Sequence, residues 1–238
     1  MSTKFLINSL FVLIAGVSCF AGFPKAHPQS AGGNGGGPIA ASAVVLQNIL
    51  QTGGGLPTSI LDEAYCVVVF PSVKKEAVGI GGSHGHGVLI CRKGAEMRGS
   101  WGNPAAYELD QGSLGVQLGS TATDFVLVVV SHNGVQQMLN GKAKLGATAA
   151  VAPGPTGAQA AGYNADARGT DVLTYSRAQG LFAGVSLDGA SLRFDEKANK
   201  AIYGEEIGAR EIISGRGLTP GEAKPLIDLL DKISPARR

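Results

Sequence analysis

Charge, cysteine and aromatic residues are all scarce in this chain of 238 residues. Charged residues make up 16% and aromatic residues 6%, and cysteine occurs only three times. The low charged fraction excludes a charge-rich disordered chain, and three cysteines exclude a small scaffold built on disulfides. With 20 Lys and Arg against 18 Asp and Glu, the chain lacks the basic excess typical of nucleic-acid-binding domains. No nucleic acid is therefore expected as a partner.

Proline is also infrequent, with 11 residues, whereas glycine is abundant, with 36. The glycines follow no G-X-Y period, which excludes collagen. A hydrophobic fraction of 44% is sufficient for a buried core. The composition therefore indicates a glycine-rich globular domain with many turns and strands.

The first 21 residues have the pattern of a secretory signal peptide. Lys4 is their only charge, and it precedes an apolar run from Phe5 to about Val17 that ends in small residues. The run is shorter than the about 20 residues of a membrane-spanning helix. We expect residues 1–21 to direct export, with the mature chain periplasmic or anchored to the membrane as a lipoprotein, and the alternative is an uncleaved anchor.

The cleavage point has two alternatives. Gly16-Val17-Ser18-Cys19 resembles the lipobox of bacterial lipoproteins, in which the cysteine becomes an acylated first residue, and cleavage after Ala21 is the other alternative. Residues 22–38 are rich in glycine and proline, which is typical of a flexible linker or a disordered mature N-terminus. The folded domain is expected to span residues 39–238.

Beyond the linker, the pattern predicts one α+β domain. Helices are expected over Ile39–Leu50, from about Pro57 to Ala64, and at the C-terminus after Thr219-Pro220. The other short apolar runs predict strands: Tyr65–Phe70, Ala77–Gly82, Gly87–Arg92, Ser113–Leu118, Phe125–Ser131, Leu145–Val151, Val172–Ser176, Leu181–Leu187 and Ser191–Phe194. Because no long helical pattern separates these strands, the sheet should be mainly antiparallel and barrel- or sandwich-like. Asp188-Gly189 predicts a hairpin between the last two strands.

The glycine-rich stretch Gly79–Gly87 lacks the context of a nucleotide-binding loop. Such a loop opens a helix, whereas these glycines lead into the strand pattern Val88-Leu89-Ile90. His84 and His86 would share one side of an extended segment. A closed zinc site needs three or four ligands, and the other histidines are not at ligand spacing. We therefore interpret both histidines as polar residues of an exposed loop and predict no metal site.

No catalytic motif is recognisable. The segment around Ser186 lacks the final glycine of a nucleophile elbow, and the serine lies within a strand pattern. The carboxylates of Asp188, Asp195 and Glu196 occupy turn-like positions. The sequence therefore predicts no enzyme, no catalytic residue and no cofactor.

Cys66 and Cys91 both lie on predicted strands of the early sheet region. In an exported domain, two cysteines can form a cross-strand disulfide. Two small buried thiols are the alternative, and the sequence does not distinguish the two.

Basic residues occur in pairs at predicted strand ends and turns: Lys74 with Lys75, Arg92 with Lys93, and Lys142 with Lys144. If several pairs meet at one end of the sheet, they form a basic rim that attracts anionic lipid head groups. Ordinary solvated loop residues are the alternative. These six residues are the predicted lipid-binding residues.

Several stretches also form one ordered pattern: Val67–Pro71, Gly79–Leu89, Trp101–Ala105, Gly112–Gly119, Thr123–Val128, Gly154–Gly157, Tyr175–Gly189 and Ile202–Gly204. This pattern resembles the SYLF-domain family, lipid-binding modules found in bacteria and eukaryotes. The resemblance covers about residues 40–205, and Tyr175–Gly189 is a highly specific part of it.

The resemblance implies non-enzymatic binding of anionic phospholipids. These are phosphoinositides for eukaryotic members, some of which also bind actin filaments. Bacterial relatives are commonly exported envelope proteins, which would ordinarily meet neither actin nor phosphoinositides, and the FYVE and other modules fused to many eukaryotic members are not expected here. The leading hypothesis is a lipid-binding envelope module. The alternatives are a structural or protein-interaction module and an enzyme acting on envelope lipids.

Overall fold

The computed structural model describes residues 37–52, 55–76, 82–112, 122–165, 168–178 and 181–237, which belong to one compact unit. The expected signal peptide, Cys19 and nearly all of the expected linker lie outside the described residues. The expected strand Ser113–Leu118 and most of the expected strand Ala77–Gly82 also lie outside them. Within the described ranges, no helix combines the length and the hydropathy that a membrane crossing requires.

Helices and strands are mixed along the described residues. The helices are α1 (Pro38–Gln51), α2 (Thr58–Glu63), α3 (His132–Leu139), α4 (Glu196–Tyr203), α5 (Ala209–Ile213) and α6 (Lys224–Ile233). The strands are β1 (Cys66–Glu76), β2 (Gly82–Cys91), β3 (Ala105–Gly112), β4 (Thr123–Val129), β5 (Lys142–Lys144), β6 (Val151–Pro153), β7 (Val172–Ala178), β8 (Leu181–Gly184) and β9 (Ser191–Phe194).

The strands form a single curled sheet in the shape of a half-barrel. Their order is β5-β9-β3-β2-β1-β4-β7-β6, and β8 pairs with β7. Among the described strands, every pairing is antiparallel except that of β6 with β7. The expected α+β class is confirmed, with a mainly antiparallel sheet, N-terminal helices and a C-terminal helix.

Each face of the sheet has its own buried core. Side chains alternate between the two faces along a strand, so that Val67 and Val69 of β1 join one core and Val68 and Phe70 join the other. Helices α1 and α6 contribute to the first core, and α3 and α5 contribute to the second. A strand buried on both faces reads as a continuous apolar run, which explains the pattern of β1.

The expected end of the first strand at Pro71 is wrong, because β1 continues to Glu76 through an irregular segment. The register against β2 shifts between Val69 and Lys74, and Ser72 has a φ of 49°. The backbone N–H of Ser72 donates to Asp124 Oδ1 at 2.9 Å. Proline is tolerated at such a bulge because no ladder hydrogen bond is lost there.

Strand β2 begins at Gly82, so the second half of the expected glycine loop is a strand. Its glycines allow close packing. A Cβ on Gly85 would lie 2.6 Å from Cγ2 of Val73, and a Cβ on Gly87 would overlap the carbonyl oxygen of Val69. Glycine at these alternate positions therefore fits a strand that is tightly covered on one face.

Strands β3 and β5 and helices α3, α4 and α5 are not predicted from the sequence. The expected strand Leu145–Val151 is wrong, because residues 145–150 form a turn closed by a bridge between Leu145 and Ala149. Helix α3 follows Ser131, whose hydroxyl accepts a hydrogen bond from the N–H of Gly134 at 2.9 Å. Helix α4 follows Asp195, which caps the helix by accepting from the N–H of Ala198 at 2.8 Å. The expected hairpin of the last two strands is wrong, because β8 pairs with β7 whereas β9 pairs with β3 and β5.

Candidate functional site

One part of the sheet carries polar side chains in two cross-strand rows. The first row is Lys74, His84, Asp110, Ser191 and Lys144, from β1, β2, β3, β9 and β5. The second row is His86, Glu108, Arg193 and Lys142, from β2, β3, β9 and β5. Residues directly opposite each other in an antiparallel pair share a face, as do residues two apart in one strand. All nine residues therefore lie on one face, and we term this surface the charged face.

The charged face continues the sheet face that α1 and α6 cover elsewhere. In β2, Val88 and Ile90 follow His84 and His86 at two-residue intervals and are buried in the core that contains α1 and α6. His84 and His86 are exposed. The helices thus cover one part of this sheet face and leave the charged face in solvent.

Arg193 connects the two acidic residues of the charged face. Its Nη2 donates to Glu108 Oε2 at 2.9 Å and to Asp110 Oδ2 at 2.7 Å. Burial opposes ionisation of Asp110, but hydrogen bonds from His84 and Arg193 outweigh it and hold the pKa of Asp110 below its ordinary value. Exposed ion pairs contribute little to stability. Their effect here is to fix the orientation of the two carboxylates.

The imidazoles of His84 and His86 meet on the charged face. Their Nε2 atoms lie 3.3 Å apart. His84 Nδ1 lies 2.7 Å from Asp110 Oδ1, and His86 Nδ1 lies 3.5 Å from Asp195 Oδ2. One nitrogen of each histidine and one oxygen of Glu108 are all within 4.8 Å of one another. The interpretation of the histidines as loop residues is therefore corrected, since they are strand residues clustered with carboxylates of other elements.

Three of the predicted lipid-binding residues lie on the charged face. Lys142 and Lys144 are exposed on either side of the buried Ala143 in β5. Lys74 is exposed on β1, four strand spacings from β5, or about 19 Å at the usual separation of about 4.8 Å. Lys75 follows in β1, and its side chain lies outside the described part of the structure. The structure thus brings together Lys142 and Lys144, with Lys74 on the same face but distant.

Arg92 does not contribute to a basic rim, because its side chain is only 1% exposed. Its guanidinium donates to the carbonyl oxygens of Ala64 at 3.0 Å, Pro235 at 2.9 Å and Ser234 at 3.1 Å. It also lies 4.4 Å from the centroid of the Trp101 ring. The prediction of Arg92 as a lipid-binding residue is therefore corrected. A basic pair in a sequence does not reveal that one member points inward.

Lys93 is exposed, but it lies beyond the end of β2 that is remote from His84. It lines a cavity of about 650 Å³ together with Lys224 and Asp231. Leu218, which is 90% exposed, directly precedes another lining residue. Lys93 therefore belongs to a surface separate from the charged face.

Cys66 and Cys91 are joined by a disulfide. They lie directly opposite each other in β1 and β2, with their Cα atoms 3.9 Å apart. Both are fully buried in the core that contains α3 and α5. Of the two alternatives that the sequence leaves open, the structure has the bridge.

The polar residues considered for catalysis make local interactions, apart from the proximity of Asp195 to His86. Ser186 lies in the connection after β8, and its hydroxyl donates to Asp188 Oδ2 at 2.8 Å. Asp195 caps α4, and Glu196 is exposed in the first turn of that helix. These contacts are turn and cap chemistry.

Part of the family pattern is explained by packing. Gly154 faces the ring of Tyr175 so closely that any Cβ on Gly154 would overlap it, and a Cβ on Gly184 would overlap the backbone of Gly154. The phenol of Tyr175 donates to the carbonyl oxygen of Pro155 at 3.3 Å. These residues therefore maintain the join of β7, β8 and the segment after β6, away from the charged face.

The fold and the charged face define an α+β domain in which one curled sheet separates two cores and exposes an ionic surface. The family model Ysc84, described as "Las17-binding protein actin regulator", matches residues 110–233. This range runs from β3 to the end of α6. The chain belongs to this family, which is the SYLF-domain family that its motifs indicate.

Curated relatives come from yeasts and vertebrates. SH3 domain-containing protein PJ696.02 of Schizosaccharomyces pombe is 34% identical over 198 residues, which cover 82% of this chain and 45% of that protein. Protein YSC84 of Saccharomyces cerevisiae is 31% identical over 179 residues, covering 74% and 37% respectively. SH3 domain-containing YSC84-like protein 1 of Homo sapiens is 28% identical over 180 residues, covering 75% and 52%. The chain thus spans about half of these relatives or less.

Proposed function

We propose that this chain is a non-enzymatic module that binds anionic phospholipid through the charged face. The observation that supports this is the projection of Lys142 and Lys144 from β5 on a face that also carries Lys74. Arg193 already pairs with two carboxylates, whereas none of the three lysines forms an ion pair with a described residue. The lysines are therefore the cations available to an anionic surface.

The expected affinity of the charged face alone is low. A lysine near an anionic membrane contributes about 1 kcal/mol, so three lysines contribute about 3 kcal/mol, which corresponds to millimolar binding. Helix α1 does not offer its main apolar residues to a membrane, because Ile39, Leu46 and Ile49 are buried in the core. Binding through the charged face should be weak and sensitive to salt.

Co-sedimentation with phosphatidylcholine vesicles, with and without phosphatidylglycerol, tests the proposal. The protein used is the chain from Gly22 onward, which carries no acyl group. Lys142→Glu with Lys144→Glu should abolish retention on the anionic vesicles, because two attractions of about 1 kcal/mol each become repulsions. The matched control is Lys197→Glu with Lys200→Glu on α4, which makes the same charge change outside the charged face.

Salt provides the second arm of this experiment. Retention of the unmodified protein should fall as salt rises, because screening weakens exposed charge interactions. Retention that ignores both the Lys142 and Lys144 reversals and the salt concentration would refute binding by the charged face.

We further propose that residues 1–21 direct export and that Cys19 is acylated. The signal-like pattern supports this, and so does the Cys66–Cys91 disulfide, since such bonds persist in oxidising compartments. Intact mass of the membrane-extracted protein should show loss of residues 1–18 and an added acyl mass. A mature N-terminus at Gly22 without lipid would contradict acylation.

The second candidate function is a protein-interaction module. The description of the matching family as a Las17-binding protein actin regulator supports it, and actin itself comes to this chain only by analogy. Co-sedimentation with actin filaments, using the same two pairs of variants, separates the candidates. Retention on filaments together with no retention on anionic vesicles would favour the protein-interaction module.

A further inference from the structure

We propose that His84, His86 and Glu108 form a binding site for a divalent transition-metal cation, with Zn²⁺ as the ion that fits the donor set. Two imidazole nitrogens and one carboxylate oxygen are ligands that Zn²⁺ accepts. The site lies on the charged face, but it concerns a different ligand and does not depend on phospholipid binding.

The spacing of the two imidazoles matches a shared metal ion. Zn²⁺ binds imidazole nitrogen at about 2.0–2.1 Å with tetrahedral angles, which places two such nitrogens about 3.3 Å apart. The Nε2 atoms of His84 and His86 are 3.3 Å apart. The pair therefore already has the separation that a tetrahedral ion requires.

The opposite ring nitrogens face carboxylates. His84 Nδ1 lies 2.7 Å from Asp110 Oδ1, and His86 Nδ1 lies 3.5 Å from Asp195 Oδ2. A proton on each Nδ1 leaves a lone pair on each Nε2, and two lone pairs that face each other repel unless a proton or a cation lies between them. Carboxylates that orient histidine ligands in this way are the usual outer partners of metal-binding histidines.

The third ligand comes from the neighbouring strand. Glu108 lies directly opposite His86 in the β2–β3 ladder, and its ligand oxygen is within 4.8 Å of both histidine nitrogens. The other elements of the charged face hold it in place, because Arg193 donates to its Oε2. A movement of about 1.5 Å by the Glu108 side chain would bring a separation of 4.8 Å to the ligand spacing of about 3.3 Å in a tetrahedral ion.

The local charge also favours a dication. The carboxylates of Glu108, Asp110 and Asp195 surround the histidines, and Arg193 is the cation that pairs with two of them. Lys74 lies opposite His84 in the β1–β2 ladder, so three carboxylates face two cations near the histidines. Lys142 and Lys144 lie farther out, on β5. His84 and His86 are exposed, so a fourth coordination position is open to water or to an anionic oxygen. Three protein ligands with one open position is a common zinc arrangement.

Zn²⁺ binding to the purified full chain, free of any histidine tag and of lipid, tests the proposal. Competition with a chromogenic chelator should show one Zn²⁺ per chain, and His84→Ala with His86→Ala should weaken binding at least 100-fold. Asp110→Asn should weaken it about 10- to 100-fold, the usual effect of losing an outer partner. His132→Ala, an exposed histidine on α3, should leave binding unchanged.

Co²⁺ provides a signal that reports the ligands themselves. The unmodified protein and the His132→Ala variant should give the visible absorption of four-coordinate Co²⁺, and Glu108→Gln should change that spectrum. Near-UV circular dichroism is the measurement that checks whether each variant is folded. Absence of stoichiometric Zn²⁺ binding, or binding that survives the double histidine change, would overturn the site and leave only a hydrogen bond between two imidazoles. Because no lipid is present, failure of lipid binding does not affect this result.

Discussion

Arg92 is the residue whose replacement should most clearly separate a structural cation from a surface cation. Its guanidinium donates to carbonyls at the C-terminal ends of two helices. Ala64 follows α2, while Ser234 and Pro235 follow α6. A cation at a helix C-terminus is favourable because the unpaired carbonyls there carry partial negative charge. Arg92 thus joins α2 and α6 to the end of β2.

The contacts allow the cost of Arg92→Met to be estimated. After this substitution, the carbonyl of Ser234 still accepts a hydrogen bond from the Trp101 indole N–H at 2.9 Å. The carbonyl of Ala64 still accepts one from the Arg237 guanidinium. The carbonyls of Pro235 and, at the longer distance of 3.3 Å, Gly99 lose their donor, at about 1–3 kcal/mol, and the ring contact with Trp101 contributes about 1–2 kcal/mol. The substitution also removes the desolvation penalty of the buried cation, which offsets part of this loss of stability. The free energy of unfolding should fall by about 3 kcal/mol.

Burial disfavours the charged form of the Arg92 guanidinium. Burial, together with the positive charge of Arg237, lowers the pKa of Arg92 to about 10, although Asp62 and Asp231 oppose the shift. Arg92 therefore remains protonated at neutral pH. Arg92→Lys keeps the charge but lacks the guanidinium fork that reaches several carbonyls at once. Arg92→Lys should therefore lower the free energy of unfolding nearly as much as Arg92→Met does.

Urea unfolding followed by far-UV circular dichroism measures these differences. Lys93→Met is the matched control, because the neighbouring cation is exposed and its loss should change stability by less than about 0.5 kcal/mol. Thermal unfolding should show the Arg92→Met midpoint lowered by about 10 °C for a domain of this size. A change below about 1 kcal/mol, or an equal change in Lys93→Met, would refute the structural role of Arg92.

Further predictions concern the disulfide, a buried amide and alkaline pH. Reduction of Cys66–Cys91, which spans 25 residues, should lower the free energy of unfolding by about 3–4 kcal/mol, and equal urea midpoints with and without dithiothreitol would contradict it. Asn199→Ala should cost about 2 kcal/mol in urea unfolding, because its amide pairs with both the N–H and the carbonyl of Ala106, at 2.8 and 2.9 Å, whereas Lys197→Ala should cost almost nothing. Stability should be complete below about pH 10 and decrease above it, because burial raises the pKa of three tyrosines whose neutral phenols donate to carbonyls: Tyr107, Tyr175 and Tyr203. Phenolate absorbance from more than two of the five tyrosines before near-UV circular dichroism is lost would contradict this coupling.

The parts of the fold that the sequence predicts are those with strong local patterns. The β-branched runs of β1 and β4 are buried on both faces, and such runs indicate strands without further information. Strand β3 is missed because alanine, glutamate and aspartate have low strand propensity. Its segment Tyr107-Glu108-Leu109-Asp110 nevertheless alternates apolar and charged residues, which is the signal of a half-buried strand.

The charged face was only partly predictable, because it is made by strand register. The alternation His84-Gly85-His86-Gly87 looks like a loop, yet the glycines are required where β2 closely approaches β1. Glu108 joins the histidines only through the pairing of β2 with β3. No local pattern in a sequence specifies which residues of two strands will lie opposite each other. For the same reason, the buried Arg92 could not be distinguished from the surface lysines by its sequence context.

The distances on the charged face decide which lysines should dominate lipid binding. Lys142 and Lys144 are two residues apart in β5, or about 7 Å along a strand. This is shorter than the screening length of about 8 Å at physiological ionic strength, whereas Lys74 is about 19 Å from β5. Lys142 and Lys144 therefore act together on one anionic region, while Lys74 contributes separately. Lys74→Glu alone should reduce retention on anionic vesicles less than the paired reversal on β5, and an effect equal to that of the pair would show that the lysines do not act through this short-range field.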